Sequence, residues 1–209
     1  MSYKLSNIAS KERIKEFTRL SFKYPHLHKP RRKINGLKEQ TVNIITMDNP
    51  NEITRGIWGI LPQNYTENWS KFQQIKHTLH VRKEDLEKNI LFKEALFSRR
   101  CLLIVTGFYI HKMVGNTIEN YLVEKSNQEP FYLAGIYNTT NDDFLTCSVI
   151  NIKATKEFSS INNLYEIMPL QIPKMFKNMW LDSKTNIKDI DYLINNPYDS
   201  GLIAQKIAT

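Results

Sequence analysis

Glycine and cysteine are both scarce in this chain of 209 residues. Seven glycines leave little room for glycine-rich phosphate loops, and neither GxGxxG nor GxxxxGKS/T occurs. Two cysteines, Cys101 and Cys147, are too few for a disulfide scaffold or a four-cysteine zinc site. The sequence therefore argues against nucleotide-loop, disulfide-rich and zinc-ribbon proteins, and we expect both thiols to be reduced.

Long hydrophobic runs are also missing. The longest one extends from Cys101 to Ile110, about half of the roughly 20 residues that cross a bilayer. No apolar signal core follows the first four residues, Met1 to Lys4. We therefore expect a cytoplasmic protein with no membrane partner.

Acidic residues are outnumbered by basic ones. There are 29 Lys and Arg against 21 Asp and Glu, for a net charge of +8, which favours a polyanionic partner such as nucleic acid. A basic cluster contains Lys29, Arg31, Arg32 and Lys33, and it is either a phosphate-binding stripe or a solvated loop. The pair Arg99–Arg100 either contacts a ligand or caps the C-terminus of the preceding helix.

Hydrophobic periodicity predicts the helices. The first two cover Ser10–Phe22 and Glu87–Ser98, and two terminal helical pieces cover Ile187–Ile194 and Leu202–Ile207. Between the first helix and the first strand, Tyr24–Gly36 is predicted to be a loop, because prolines and charges dominate it.

Short runs of β-branched and aromatic residues predict the strands. They lie at Val42–Met47, Ile53–Leu61, Cys101–His111, Tyr121–Glu124, Phe131–Tyr137 and Leu145–Ile152. The 41% hydrophobic and 24% charged residues are typical of a globular protein. Without a repeat or a linker, the pattern predicts a single α+β domain over residues 1–209, with a mixed, mainly antiparallel, barrel-like sheet flanked by helices.

By themselves, the residues reveal no catalytic constellation. The histidine pairs His26/His28 and His77/His80 lack a supporting metal motif, so we predict no metal site and no cofactor. Aromatic residues such as Trp58 are candidates for stacking on bases, although aromatics in strands more commonly belong to the core. At this level, the sequence describes a basic α+β domain suited to nucleic acid.

Six segments then occur in a characteristic order. They are W-G-I-L-P at 58–62, L-H-V-R-K-E-D at 79–85, R-R-C-L at 99–102 with G-F-Y at 107–109, P-F with L-A-G-I-Y within 130–137, I-N-N at 161–163 leading to M-P at 168–169, and W-L at 180–181. Together they resemble the SOS response-associated peptidase (SRAP) family of abasic-site processing proteins. The resemblance covers about residues 1–183 and implies that family's fold.

The resemblance also implies a covalent chemistry. In the family, Met1 is removed and a cysteine becomes the N-terminal residue. Its α-amine attacks the ring-opened aldehyde of an abasic site in single-stranded DNA, and its thiol closes a thiazolidine, while an Asn, a Glu and a His line the pocket. The implied partner is single-stranded or junction DNA with an abasic site, bound by a monomer without a cofactor.

This sequence departs from the family at each catalytic position. Ser2 stands in place of the cysteine, and His80 in place of the Asn. Ile110 replaces the Glu, and either Asn162 or Tyr165 replaces the His, depending on where the gap is placed. A serine hydroxyl supplies no thiolate and an isoleucine moves no proton, so we expect the cross-linking chemistry to be lost.

The positions that the resemblance implies for DNA contact are better retained. They are Lys4, Trp58, Arg82 and His111, the last in place of a family Trp. Three functions remain open: a DNA-binding pseudoenzyme, a residual Schiff-base, lyase or autopeptidase activity through Ser2 with His80 as its base, and a protein-binding module on the same scaffold.

Overall fold

The computed structural model of the chain describes residues 3–75, 77–198 and 201–207. Within these ranges the helices are α1 (Lys11–Thr18), α2 (Trp69–Ile75), α3 (Ile90–Ser98), α4 (Lys156–Ser159), α5 (Lys177–Leu181) and α6 (Ile187–Asn195). The strands are β1 (Lys4–Asn7), β2 (Ser21–Phe22), β3 (Arg31–Asn35), β4 (Thr41–Thr46), β5 (Glu52–Trp58), β6 (His80–Arg82), β7 (Arg100–Val105), β8 (Gly107–Val114), β9 (Thr117–Lys125), β10 (Phe131–Thr139), β11 (Leu145–Lys153), β12 (Ile167–Pro169), β13 (Gln171–Ile172) and β14 (Leu202–Ile207).

The strands form two sheets. One has five strands in the order β14-β9-β8-β1-β3. The other has nine, in the order β12-β11-β10-β7-β4-β5-β2, with β13 beside β10 and β6 beside β11. In the larger sheet, β5 also pairs with β11 in parallel, so β11, β10, β7, β4 and β5 close into a ring. The predicted α+β class with a mixed, mainly antiparallel sheet is confirmed.

The core lies where the two sheets face each other. All residues of β7 are buried, because β4 and β10 pair with its two edges and α3 and α5 pack against it. A strand covered on both faces has no need for polar alternation, which explains its continuous apolar sequence. Residues of both sheets, such as Leu5, Phe108 and Leu103, belong to the same hydrophobic cluster.

Arg100 is a buried cation that joins helices to the larger sheet. Its guanidinium donates to the carbonyl oxygens of Leu96 and Phe97 at the end of α3, at 2.9 and 3.1 Å. It also donates to the carbonyl oxygens of Trp180 and Asp182, at 2.7 and 2.8 Å. Of the two roles considered for this arginine, the structure selects the helix cap.

The predicted strand Cys101–His111 is two strands in the structure, divided at Thr106. β7 belongs to the nine-stranded sheet and β8 to the five-stranded one. At the division, the Thr106 amide donates to the carbonyl oxygen of Ser6 at 2.8 Å. At Gly107 an added Cβ would lie 2.8 Å from the Val123 carbonyl oxygen, so a side chain does not fit where the sheets meet.

The predicted helix Ser10–Phe22 is too long. The structure ends α1 at Thr18, where Arg19 adopts a left-handed backbone with φ 58° and its amide binds the Lys15 carbonyl oxygen at 2.7 Å. The chain then forms β2, which pairs with β5 and buries Phe22. Tertiary pairing therefore overrides the helical pattern at this end.

Two edge strands were also predicted wrongly. The predicted loop Tyr24–Gly36 contains β3, in which Ile34 is the only buried side chain and pairs with Leu5. The predicted helical piece Leu202–Ile207 is the strand β14, which pairs with β9 along its length. Edge strands are commonly rich in charge, which weakens the alternation that identifies a strand.

Candidate functional site

A pocket lies where the starts of β1 and β6 approach β8 and β12. Its lining consists of Lys4, Leu5, His80, Phe108, Tyr109, Ile110, Asn151, Asn162, Ile167 and Pro169. The structure thus brings together His80, Ile110, Asn162 and Lys4, which the sequence had placed in one site. Ser2, the remaining predicted catalytic position, lies outside the described residues.

Strand pairing explains why distant residues meet here. β1 pairs with β8 so that Leu5 lies opposite Phe108. β6 and β12 both pair with β11, which places Asn151 opposite Arg82 on one side and opposite Pro169 on the other. One wall of the pocket therefore comes from the five-stranded sheet and the other from the nine-stranded sheet.

The ring of His80 is half-buried and packed among aromatic side chains. Trp58 meets it edge to face, with ring centroids 5.4 Å apart, and Tyr3 lies at 6.3 Å. The indole nitrogen of Trp58 donates to the Leu79 carbonyl oxygen at 2.8 Å. Trp58 is 0% exposed, so direct stacking of a base on its ring is not compatible with its position. Trp58 instead packs against the ring of His80 and supports it.

Ile110 makes this part of the pocket apolar. Its side chain is 3% exposed, and the neighbouring Phe108 is similarly buried. None of the described residues that line the pocket is a carboxylic acid. A general acid or base in this position would need an ionisable group, and Ile110 provides none.

Asn162 stabilises the segment that leads into β12. Its side-chain amide donates to the Ile167 carbonyl oxygen at 2.5 Å, and its side chain is largely buried. Tyr165, the alternative for the same family position, is exposed and does not line the pocket. The structure therefore places Asn162, and not Tyr165, at this position.

Positive charge dominates the entrance at the start of β1. Burial lowers the pKa of Lys4 below its ordinary value, and the nearby charge of Lys33 lowers it further. Burial also lowers the pKa of His111, against an opposing hydrogen bond from Asn120 and with a further decrease from the charge of Lys4. His111 is therefore neutral at physiological pH, while the lysines around it repel one another.

Comparison with known proteins identifies the family. The family model described as "SOS response associated peptidase (SRAP)" matches residues 1–209. This chain belongs to the SRAP family. Two relatives from Bacillus subtilis are named abasic site processing proteins. YoqW is 27% identical over 169 residues, covering 76% of this chain and 71% of the relative, and YobE is 27% identical over 168 residues, covering 76% and 73%.

Solved structures share the SRAP fold described here. A protein from Bacteroides thetaiotaomicron superimposes with a TM-score of 0.87 at 20% identity, covering 99% of this chain and 92% of the other. A protein from Bordetella bronchiseptica gives a TM-score of 0.81 at 15% identity, covering 99% and 100%. At these identities the likeness concerns the fold.

In this SRAP chain, two further residues contribute to the site. Arg82 is exposed on β6 beside the pocket, opposite Asn151 of β11. Asn151 is 2% exposed and lines the pocket, yet it belongs to none of the sequence motifs. The available signal was a polar residue inside the apolar run of β11, which is unusual for a buried strand.

The described part of the SRAP chain contains neither a cluster of metal ligands nor a membrane-spanning helix. No three of its His, Cys, Asp or Glu side chains lie close enough together to hold a metal ion. None of its helices combines the length and the apolar composition needed to cross a membrane. Both thiols are buried and unpaired, and burial raises the pKa of Cys101 and of Cys147.

Proposed function

We propose that this SRAP protein binds single-stranded or junction DNA at an abasic site, and that it does so without the family's covalent cross-link. The relatives named abasic site processing proteins and the net charge of +8 support the choice of partner. The pocket formed by Lys4, His80 and Asn162 is where the abasic nucleotide would bind. The protein would act as a cytoplasmic monomer.

The observation that carries this proposal is the buried Ile110. An acid or base must exchange a proton with the reacting sugar, and the described pocket lining offers no carboxylic acid for that step. The replacement of the cysteine by Ser2 removes the thiolate that would close the ring. Two independent steps of the family reaction thus lack their chemical group.

The cations at the pocket entrance support non-covalent binding. Lys4 lines the pocket, and Lys33 lies close enough to influence it electrostatically. Arg82 is exposed on the adjoining strand. Contacts of such groups with phosphates release counterions, so the affinity for DNA should fall steeply with salt concentration.

A paired gel experiment tests the proposal. Mass-verified protein is incubated with a labelled single strand that carries one abasic site, and with a control strand whose tetrahydrofuran analogue has no aldehyde. We expect a shift of both strands in a native gel and none in a denaturing gel after borohydride treatment. Lys4→Gln should weaken the native shift, and Lys184→Gln, an exposed lysine outside the pocket, should leave it unchanged.

A second candidate function rests on His80. Its imidazole faces the pocket into which β1 leads, where it could act as a base for a Schiff base formed by the α-amine of Ser2. A denaturation-resistant band that requires both borohydride and the free amine of Ser2 would favour this activity and contradict the non-covalent proposal. Absence of any shift would favour the protein-binding scaffold instead.

A further inference from the structure

A second, strongly cationic pocket lies at the other end of β1 and β3. It opens between β3, β4 and β5, and Lys29, Arg31 and Arg55 contribute three positive charges to its lining. None of the described residues that line it is acidic. The ion pairs found among the described residues do not include these three cations.

Arg55 is held in place by neutral groups. Its Nε donates to the Thr41 hydroxyl at 2.9 Å, and its guanidinium also contacts the Leu27 carbonyl oxygen. Burial lowers the pKa of Arg55, and the charge of Arg31 lowers it further. The two guanidinium groups therefore repel each other here, with Arg55 held by its hydrogen bonds and no counter-charge among the described lining residues. A bound anion would remove this cost.

The inner wall of this pocket is neutral and ordered. His28 is 9% exposed, its Nε2 lies 3.0 Å from the Ala9 carbonyl oxygen and its Nδ1 lies 2.9 Å from the Asn43 amide nitrogen. In this arrangement the ring donates from Nε2 to the Ala9 carbonyl oxygen and accepts at Nδ1 from the Asn43 amide. The wall adds no negative charge to balance the arginines.

We propose that this pocket binds a phosphate group of the DNA strand whose abasic nucleotide occupies the first pocket. The assignment of the phosphate to this DNA strand rests on the proposed function. Guanidinium groups match the geometry and charge of a phosphate better than any other side chain does. The basic cluster of the sequence thereby acquires a specific role, in which Arg31 and Arg55 together bind one phosphate.

The distance between the two pockets suits a nucleic-acid strand. Arg31 pairs with Asn7 at the second pocket, and Asn35 pairs with Lys4 at the first. Four residues of strand span about 13 Å at roughly 3.3 Å per residue. Along a fully stacked strand with an axial rise of about 3.4 Å per nucleotide, this length corresponds to at most about four nucleotides, and to fewer in an extended single strand. Arg32 and Lys33 are exposed along this edge strand, so positive charge continues between the pockets.

The test compares variants that change the charge equally. The dissociation constant of a labelled single strand with one abasic site is measured at several salt concentrations. The proposal expects Arg31→Gln/Arg55→Gln to weaken binding roughly tenfold or more. It also expects the slope of log K against log salt to fall by about 0.7, for one lost phosphate contact on a single strand. The control variant Lys184→Gln/Lys188→Gln, which replaces two exposed lysines, should change neither the dissociation constant nor the salt slope.

Thermal unfolding with added inorganic phosphate tests phosphate binding at this pocket independently of the proposed binding of DNA. If the wild-type protein fails to bind DNA, the proposed function fails. A melting temperature that phosphate raises in the wild type but not in Arg31→Gln/Arg55→Gln would still support a phosphate site, with free phosphate as its source. A double variant that behaves like the control in both measurements overturns the proposal. If the double variant does not fold, Arg31→Gln alone, on an exposed side chain, replaces it.

Discussion

The rings of Trp58 and His80 meet edge to face, with 88° between their planes. Trp58 also binds the Leu79 carbonyl oxygen, so one buried indole holds both the side chain of His80 and the backbone before it. His80 lines the pocket and Trp58 does not. The tryptophan therefore acts through the histidine that it positions.

The variant Trp58→Phe should show whether Trp58 supports His80 or contacts the DNA itself. The variant keeps an aromatic ring but loses one of two hydrogen bonds to the Leu79 carbonyl oxygen, which still accepts from the Val149 amide at 3.0 Å. We expect a cost of about 0.5–1.5 kcal/mol in the free energy of unfolding. DNA binding should weaken, while the salt slope stays unchanged because no phosphate contact is lost. Urea denaturation and salt-dependent anisotropy measure the two effects. A reduced salt slope would instead indicate that Trp58 lies on the DNA path.

Restoring the family residues should restore the chemistry. We expect Ser2→Cys/Ile110→Glu/Asn162→His to form a denaturation-resistant adduct with an abasic strand, because the variant regains a thiol, a carboxylate and an imidazole. Ser2→Cys alone should form less adduct, since Ile110 still provides no proton transfer. Denaturing gels and intact mass measure the yield. A folded triple variant without adduct would show that substitution at these three positions is not what prevents the reaction.

The neutral state of His111 predicts a pH dependence of stability. Its pKa is lower in the folded protein than the ordinary value of 6.5, so the unfolded chain binds more protons between these two values. Stability therefore rises with pH across this window and falls as the pH decreases through it. Urea denaturation between pH 5 and 8 should show a smaller decrease for His111→Gln than for the wild type. Equal pH slopes for the two proteins would contradict this assignment.

Replacing Arg100 should change the stability of the protein alone. Arg100→Met removes the guanidinium donor from the Leu96, Phe97 and Trp180 carbonyl oxygens, while the Asp182 carbonyl oxygen still accepts from the Thr185 amide at 3.2 Å. Hydrogen bonds to charged groups contribute roughly 1.5–3 kcal/mol each, so we expect a loss of at least about 3 kcal/mol. The neighbouring Arg99→Met removes an ion pair with Glu94 and a hydrogen bond to the Ser98 hydroxyl, both near the surface, and should cost less, about 1 kcal/mol. Calorimetry compares the two variants, and equal losses of stability would contradict the role of Arg100 as a helix cap.

The sequence was most informative where residues are buried or belong to the family motifs. The apolar run of β7 predicted a central strand, and the motifs around His80, Ile110 and Asn162 predicted three residues that line one pocket. Sequence alone could not choose between Asn162 and Tyr165, because that choice depends on which side chain faces the pocket. Only the fold distinguishes them.

Other features depend on partners that are distant along the chain. β3 is a strand because β1 pairs with it, and its three consecutive cations hide the alternation. Trp58 is predicted to touch DNA, yet its side chain is 0% exposed and packs against Gly36 and His80. The second pocket joins Arg31 to Arg55, and neither residue carries a motif that would have connected them.

The passage of the chain from one sheet to the other at Thr106 also sets an order of events during synthesis. One wall of the pocket can form only after β8, which begins at Gly107, has been made and can pair with β1. The other wall can form only after β12 has been made. At about 5–20 residues per second, β8 is translated many seconds after β1. The start of β1 is therefore made well before the pocket that Lys4 lines is complete, and any enzyme acting on this part of the chain during translation meets it without that pocket.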